Sequence, residues 1–132
     1  MKKILVLMST YNGEKYIRQQ IDSILNQSKD GFEISLLVRD DGSSDTTVNI
    51  LEKYANKGLL KFYCGKNLKP ARSFLDLLKK SYCADYYAFA DQDDYWEENK
   101  LLSAFKKLEE NKNNHNGKLY FSILNVRSEE HT

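Results

Sequence analysis

The sequence predicts an α/β fold, a Rossmann-like, doubly wound, mostly parallel sheet. Three observations carry this expectation. Short continuous apolar runs recur along the chain, as in strands covered on both faces. Between them lie segments with apolar residues at helical spacing. The alternation repeats four times, with connections long enough for the crossover helices that parallel strands require.

The elements follow in order. Residues 4–8 (ILVLM) are apolar throughout and predict a buried strand. Tyr16, Ile17, Ile21, Ile24 and Leu25 then form one helical stripe, with Arg18, Gln19 and Asp22 off it. Residues 34–38 (ISLLV) are the second strand. Gly42 breaks it, and Ser44 or Asp45 is placed to cap a helix carrying Val48, Leu51, Tyr54 and Ala55. Residues 60–63 are a third, shorter strand. Pro70 opens a helix with Phe74, Leu75, Leu78 and Tyr82 on its stripe. Residues 86–90 (YYAFA) are the fourth strand. Trp96, Leu101, Leu102, Phe105 and Leu108 share the next helix, which stops in the Asn-rich segment 111–117. Residues 119–124 are a fifth apolar run.

Composition narrows the function classes. The 132 residues suit one domain, and 41% apolar with 12% aromatic residues can fill a core. Lys and Arg number 20 against 19 Asp and Glu, so net charge is +1 and offers no case for nucleic acid or an anionic membrane as the main partner. No apolar run approaches the ~18 residues of a transmembrane helix. The N-terminus opens like a signal peptide, but its apolar segment is too short and no small-residue cleavage site follows. Cys64 and Cys83 read as reduced core thiols, which implies a cytoplasmic protein.

Open parallel sheets bind ligands beyond the carboxyl ends of their strands, so the segments there are the place to look. After the first strand stand Ser9, Thr10, Tyr11, Asn12 and Gly13. They suit a nucleoside with Tyr11 stacked on its base, or simply a strand-to-helix turn. After the second come Asp40 and Asp41, then Gly42, Ser43, Ser44 and Asp45. A turn with a helix cap explains the later residues. It does not require two carboxylates at an apolar strand's end, where one can accept a base N–H or ribose hydroxyls. After the fourth come Asp91, Gln92, Asp93 and Asp94, ahead of Tyr95 and Trp96. Three carboxylates in four residues repel one another unless a cation joins them, and carboxylate oxygens suit Mg2+ or Mn2+. The plainer reading is an acidic start to the next helix. No G-x-G-x-x-G, P-loop or C-x-x-C motif is present.

The clusters STYNGEKYI, VRDDGSSDTT and FADQDDYWEENKL, in this order and spacing, resemble the family 2 inverting glycosyltransferases with the A-type glycosyltransferase fold. DQDD followed by Trp is similar to the rhamnosyltransferase-like branch that builds O-antigen and capsule. The resemblance covers about residues 2–125, the N-terminal, donor-binding part of a nucleotide-diphospho-sugar transferase fold. It implies a base-binding segment at Ser9, Thr10 and Tyr11, with Asp41 bonding the base N–H and Asp40 beside it. Arg72 falls near the diphosphate. Asp91 and Asp93 match the D-x-D pair that binds a metal, and Asp91 also touches the nucleotide. Asp94 orients water or sugar hydroxyls. The implied partners are a dTDP- or UDP-linked sugar and a saccharide or lipid-linked saccharide acceptor. The implied location is the cytoplasm, at the inner face of the membrane through regions outside this chain.

The resemblance puts the general base well past the D-x-D pair, so the catalytic base is unassigned. Residues 1–126 are thus read as a C-terminally truncated nucleotide-sugar-binding part. Residues 127–132 (RSEEHT) follow no pattern and can be encoded by AGATCGGAAGAGCACACG, which matches the start of a common sequencing-library adapter. They are read as a non-native tail, and an authentic stop codon after Thr132 in source DNA refutes this. Two other readings compete. One is a non-catalytic nucleotide-sugar-binding module. The other is a sugar-nucleotide pyrophosphorylase, which expects a Gly-rich basic loop after the first strand, where STYNGEKY has one Gly and no Arg.

Overall fold

In the computed structural model, residues 1–111 are described. The elements run β1 (Lys2–Thr10), α1 (Ile17–Leu25), β2 (Phe32–Asp40), α2 (Thr47–Asn56), β3 (Lys61–Cys64), α3 (Pro70–Lys80), β4 (Tyr86–Asp91) and α4 (Lys100–Asn111). The four strands form one sheet in the order β3-β2-β1-β4, and every pairing is parallel. The predicted fifth apolar run and the tail 127–132 lie outside the described residues. Among those described, no helix is long and apolar enough to cross a membrane.

The strand order explains the layering. The chain winds from β1 to β2 to β3 in one direction, then returns to the other side of β1 for β4. Crossovers of a single hand therefore place α3 on the face opposite α1 and α2. Side-chain alternation along β1 agrees. Ile4, Val6 and Met8 pack with Ile17, Ile21 and Ile24 of α1, Ile50 and Leu51 of α2, and Leu101, Phe105 and Leu108 of α4. Leu5 and Leu7 face the other way, onto Leu77 of α3. β1 is thus buried on both faces, which is why its sequence reads as an unbroken apolar run.

Several expectations change at the helix ends. α3 stops at Lys80, so Tyr82 lies beyond it and is exposed. Leu75 points to solvent, and the fully buried apolar residue of that helix is Leu77. Trp96 precedes α4 instead of riding on it, yet it is buried against the same core as α1. Tyr16 flanks α1 and is half exposed. Neither proposed residue caps α2: Thr46 holds the cap position without a side-chain cap bond, while Asp45, one residue earlier, accepts the Thr47 N–H at 2.9 Å and the Thr47 hydroxyl at 2.5 Å through its Oδ1. Cys64 and Cys83 are free thiols on the surface, contrary to their expected place in the core, because β3 and the segment after α3 sit at the sheet's margin.

Candidate functional site

The winding reverses between β1 and β4, and a crevice must open at the carboxyl ends there. The structure has a cleft of about 560 Å³ at that point. Strand register sets its floor: Ser9 of β1 lies between Arg39 of β2 and Asp91 of β4, and Thr10 pairs with Asp40. Ser9, Thr10, Tyr11, Asp41, Asp91 and Asp93 all line the cleft. Asp40, Arg72 and Asp94 do not.

Asp40 is 1% exposed and turned inward. Its Oδ1 accepts from the Thr10 hydroxyl at 2.8 Å and the Ser43 hydroxyl at 2.6 Å, and its Oδ2 from the Ser43 N–H at 2.8 Å. These bonds organise the turn after β2 and occupy the carboxylate internally. Asp41 faces the cleft and is held by a different set. Its Oδ1 is 2.5 Å from Arg39 Nη1 and accepts the Leu68 N–H at 2.8 Å, while Oδ2 accepts the Lys69 N–H at 3.0 Å.

Arg39 is the hub of that wall. It is 3% exposed, donating also to Asp76 Oδ2 at 3.1 Å, the Ser73 hydroxyl at 3.1 Å and the Lys66 carbonyl at 3.0 Å. Burial opposes its charge, but the hydrogen bonds and charges of Asp41 and Asp76 outweigh it and raise the guanidinium pKa. Gly65 makes room: a Cβ there would stand 2.3 Å from Arg39 Nη2. The Tyr63 hydroxyl donates to the same Asp76 oxygen at 2.7 Å, and Ser73 shares a 2.6 Å hydrogen bond with Ser9 across to β1.

The first and fourth strand-end segments are joined by Gln92, the residue between Asp91 and Asp93. Its Oε1 accepts the Tyr11 N–H at 2.7 Å and its Nε2 donates to the Tyr11 carbonyl at 2.9 Å. This two-point clamp fixes the backbone that carries the Tyr11 ring, which is 47% exposed at the cleft's edge. Asn12 ties the same segment to the second cluster, its Oδ1 accepting the Ser44 N–H at 2.8 Å. Gly13 is required by close approach, since a Cβ would stand 2.3 Å from Gln92 Oε1. Gly13→Ala is expected to displace the Gln92 amide and lose both Tyr11 bonds, at about 1–2 kcal/mol. Urea unfolding checks this, and unchanged stability would refute the clamp.

The acidic segment is electrostatically crowded. Asp91 has its carboxyl raised above the ordinary aspartate value, first by desolvation and then by the charges of Asp93 and Asp94, with Lys100 opposing. Asp94 leans away, 3.7 Å from Lys100 Nζ. Among the described residues, no three His, Cys, Asp or Glu side chains gather into a metal cage of their own. Two cleft-facing carboxylates still suit Mg2+ or Mn2+, which commonly take one or two carboxylates and complete their shell with phosphate oxygens and water.

Asp91 yields a signed prediction. Its folded pKa lies above the ordinary 3.8, so the folded chain holds that proton more tightly than the unfolded chain. Stability from this group is therefore present below the unfolded value and lost as pH rises through the folded one. Without metal, Asp91→Asn is expected to raise Tm at neutral pH and to match the parent at pH 3. A Tm gain that persisted at pH 3 would contradict the assignment.

Sequence reasoning missed several cleft residues: Asn67, Lys69, Pro70, Phe74 and Gln92. Lys69 stands on the wall where Arg72 was expected, while Arg72 is exposed on α3. Lys69 has φ +72°, rare for a side-chain-bearing residue, and the bond from its N–H to Asp41 helps hold it there. That backbone angle had no sequence signal, whereas Gln92 was visible inside its motif.

A four-stranded parallel sheet with aromatic, hydroxyl and carboxylate groups converging at its switch point defines an α/β domain with a ligand-sized cleft at its strand ends. Comparison with known proteins makes this specific. Residues 5–130 match the model of glycosyl transferase family 2, and the chain belongs to that family. It is 37% identical over 109 residues to the dTDP-rhamnosyl transferase RfbG of Shigella flexneri, covering 74% of this chain and 35% of that protein. It is 34% identical over 121 residues to the poly(ribitol-phosphate) β-N-acetylglucosaminyltransferase TarP of Staphylococcus aureus, covering 84% of this chain and 34% of TarP. The structure of S. aureus TarS residues 1–349 with UDP-GlcNAc superposes with TM-score 0.72 at 34% identity, over 82% of this chain and 31% of that one. The chain thus spans about a third of the length of the relatives it matches. The match to an A-type glycosyltransferase structure bears out the predicted fold class.

Proposed function

We propose that this chain is the donor-binding part of a glycosyltransferase. It moves a sugar from a dTDP- or UDP-linked donor to a hydroxyl of a saccharide or lipid-linked saccharide, with inversion at the anomeric carbon. The product is a cell-surface polysaccharide, a reading supported by the likeness to RfbG and TarP. The observation that carries the proposal is convergence: side chains at or just past the ends of β1, β2 and β4, far apart in sequence, line one cleft.

The roles follow from position. Tyr11 stacks on the base from the cleft edge. Asp41, held rigid by Arg39 and two backbone N–H groups, accepts the imide N–H of uracil or thymine. Ser9 and Thr10 line the floor beneath the nucleoside. Lys69 takes the diphosphate position that the resemblance gave to Arg72. Asp91 and Asp93 would hold Mg2+ or Mn2+, while Asp94, outside the cleft and turned towards Lys100, is given no place at the donor. A bound divalent cation supplies positive charge against the negative charge that grows on the leaving diphosphate.

A thermal-shift screen of UDP-, dTDP- and GDP-sugars with MnCl2 tests this. A uracil or thymine nucleotide at ~100 Kd is expected to stabilise the chain by about 2.7 kcal/mol. Lys69→Ala should weaken that effect and Arg72→Ala should leave it intact. No stabilisation by any nucleotide would sink the reading. Sugar transfer by a longer protein containing this domain then separates an enzyme from a binding module.

A further inference from the structure

α1 buries a face that ought to be apolar, yet three polar residues lie on it. Gln20 is 1% exposed, Ser23 6%, and Gln27, just past the helix, 3%. Spaced three and four apart, they make a polar stripe beside Ile17, Ile21 and Ile24. Buried amides cost free energy unless bonded, so the partners matter.

Those partners are backbone groups of one segment, residues 91–101, which follows β4 and leads into α4. Gln20 Nε2 donates to the Asp91 carbonyl at 2.6 Å, and Gln20 Oε1 accepts from the Ser23 hydroxyl at 2.9 Å. The Ser23 hydroxyl in turn accepts the Trp96 N–H at 3.1 Å. Gln27 Nε2 donates to the Glu97 carbonyl at 2.6 Å, and Gln27 Oε1 accepts the Leu101 N–H at 2.9 Å. That last bond satisfies an N–H in the first turn of α4, which has no earlier turn to bond it. The acidic segment is therefore fastened at four backbone points by side chains about 70 residues away.

The contacts divide by position. Gln27 anchors the far end, at the start of α4. Gln20 grips the near end, at the residue whose carboxylate faces the cleft and one peptide from Gln92, which clamps Tyr11. We infer that Gln20 is a positioning residue. By fixing the Asp91 carbonyl, it sets the spacing of the Asp91 and Asp93 carboxylates that receive the divalent cation. This rests on the metal reading above.

The test is Mn2+ titration of the 132-residue chain with UDP or dTDP present, read by calorimetry or by the paramagnetic signal of free Mn2+. Gln20→Met keeps the side chain's length and removes its donor. It is expected to weaken Mn2+ binding about tenfold, the range for residues that orient metal ligands. Gln27→Met, which loosens the far end, is expected to lower Tm while leaving Mn2+ affinity within about twofold of the parent. If Gln20→Met does not fold, Gln20→Asn keeps a polar amide but, one methylene shorter, draws its donor back from the Asp91 carbonyl; the same loss is expected. Parent-like Mn2+ affinity in the Gln20 variant, alongside loss in Asp93→Ala, overturns the inference and spares the metal reading. Equal loss in the Gln20 and Gln27 variants overturns it in favour of a purely structural role. A parent chain that binds no Mn2+ overturns both.

Discussion

Asp93→Ala is expected to abolish measurable Mn2+-dependent binding of a UDP- or dTDP-sugar. The loss should exceed the ~100-fold upper range for residues that merely orient metal ligands, because this change removes an oxygen donor itself. Asp93 is exposed at the cleft, and its charge burdens Asp91. Removing it therefore should not unfold the chain: without metal, Tm should hold or rise slightly. The signature is lost ligand binding at unchanged or improved stability, measured by titration and thermal unfolding. Parent-like Mn2+ affinity would remove Asp93 from the metal site.

Arg39→Met is expected to do the reverse, striking stability first. Asp41 stays buried at 3% exposure after its guanidinium partner is gone, and Asp76 and the Lys66 carbonyl each lose a donor. Removing one partner of a buried ion pair costs about 3–5 kcal/mol. For a chain whose whole stability is on the order of 5–15 kcal/mol, that lowers Tm by roughly 10 °C or more. Adding Asp41→Asn should recover part of the loss, since the uncompensated charge then disappears. Urea unfolding of the single and double variants measures the coupling. A cost below about 1 kcal/mol for the single variant would mean that Arg39 does not organise this wall.

The architecture was legible because it depends on local periodicity. Burial of β1 on both faces demands an apolar run, and that run is visible in residues 4–8 without any partner being known. The site was legible at its strand ends, where acidic residues cluster just after apolar strands, and Asp41, Asp91 and Asp93 do line the cleft. It was not legible in its walls. Arg39 is a buried cation inside a strand, and Lys69 reaches the cleft through an uncommon backbone angle. Gln20 did carry a faint signal: it lies three residues after Ile17 and four before Ile24, a polar residue on an apolar stripe.

By itself, then, the sequence determined the alternation of strands and helices, the parallel sheet and the acidic strand ends. Each of these follows from the spacing of residues within a few turns of chain. Tertiary structure alone decided which carboxylate faces inward and which faces the cleft. Asp40 and Asp41 are neighbours, and only the positions of Thr10, Ser43, Arg39 and the 68–69 backbone tell them apart. It also decided that Gln92 holds Tyr11 and Gln20 holds Asp91, across separations of 81 and 71 residues. A hydrogen bond depends on distance and angle, not on sequence separation, so such pairings arise only when the sheet brings its strand ends together.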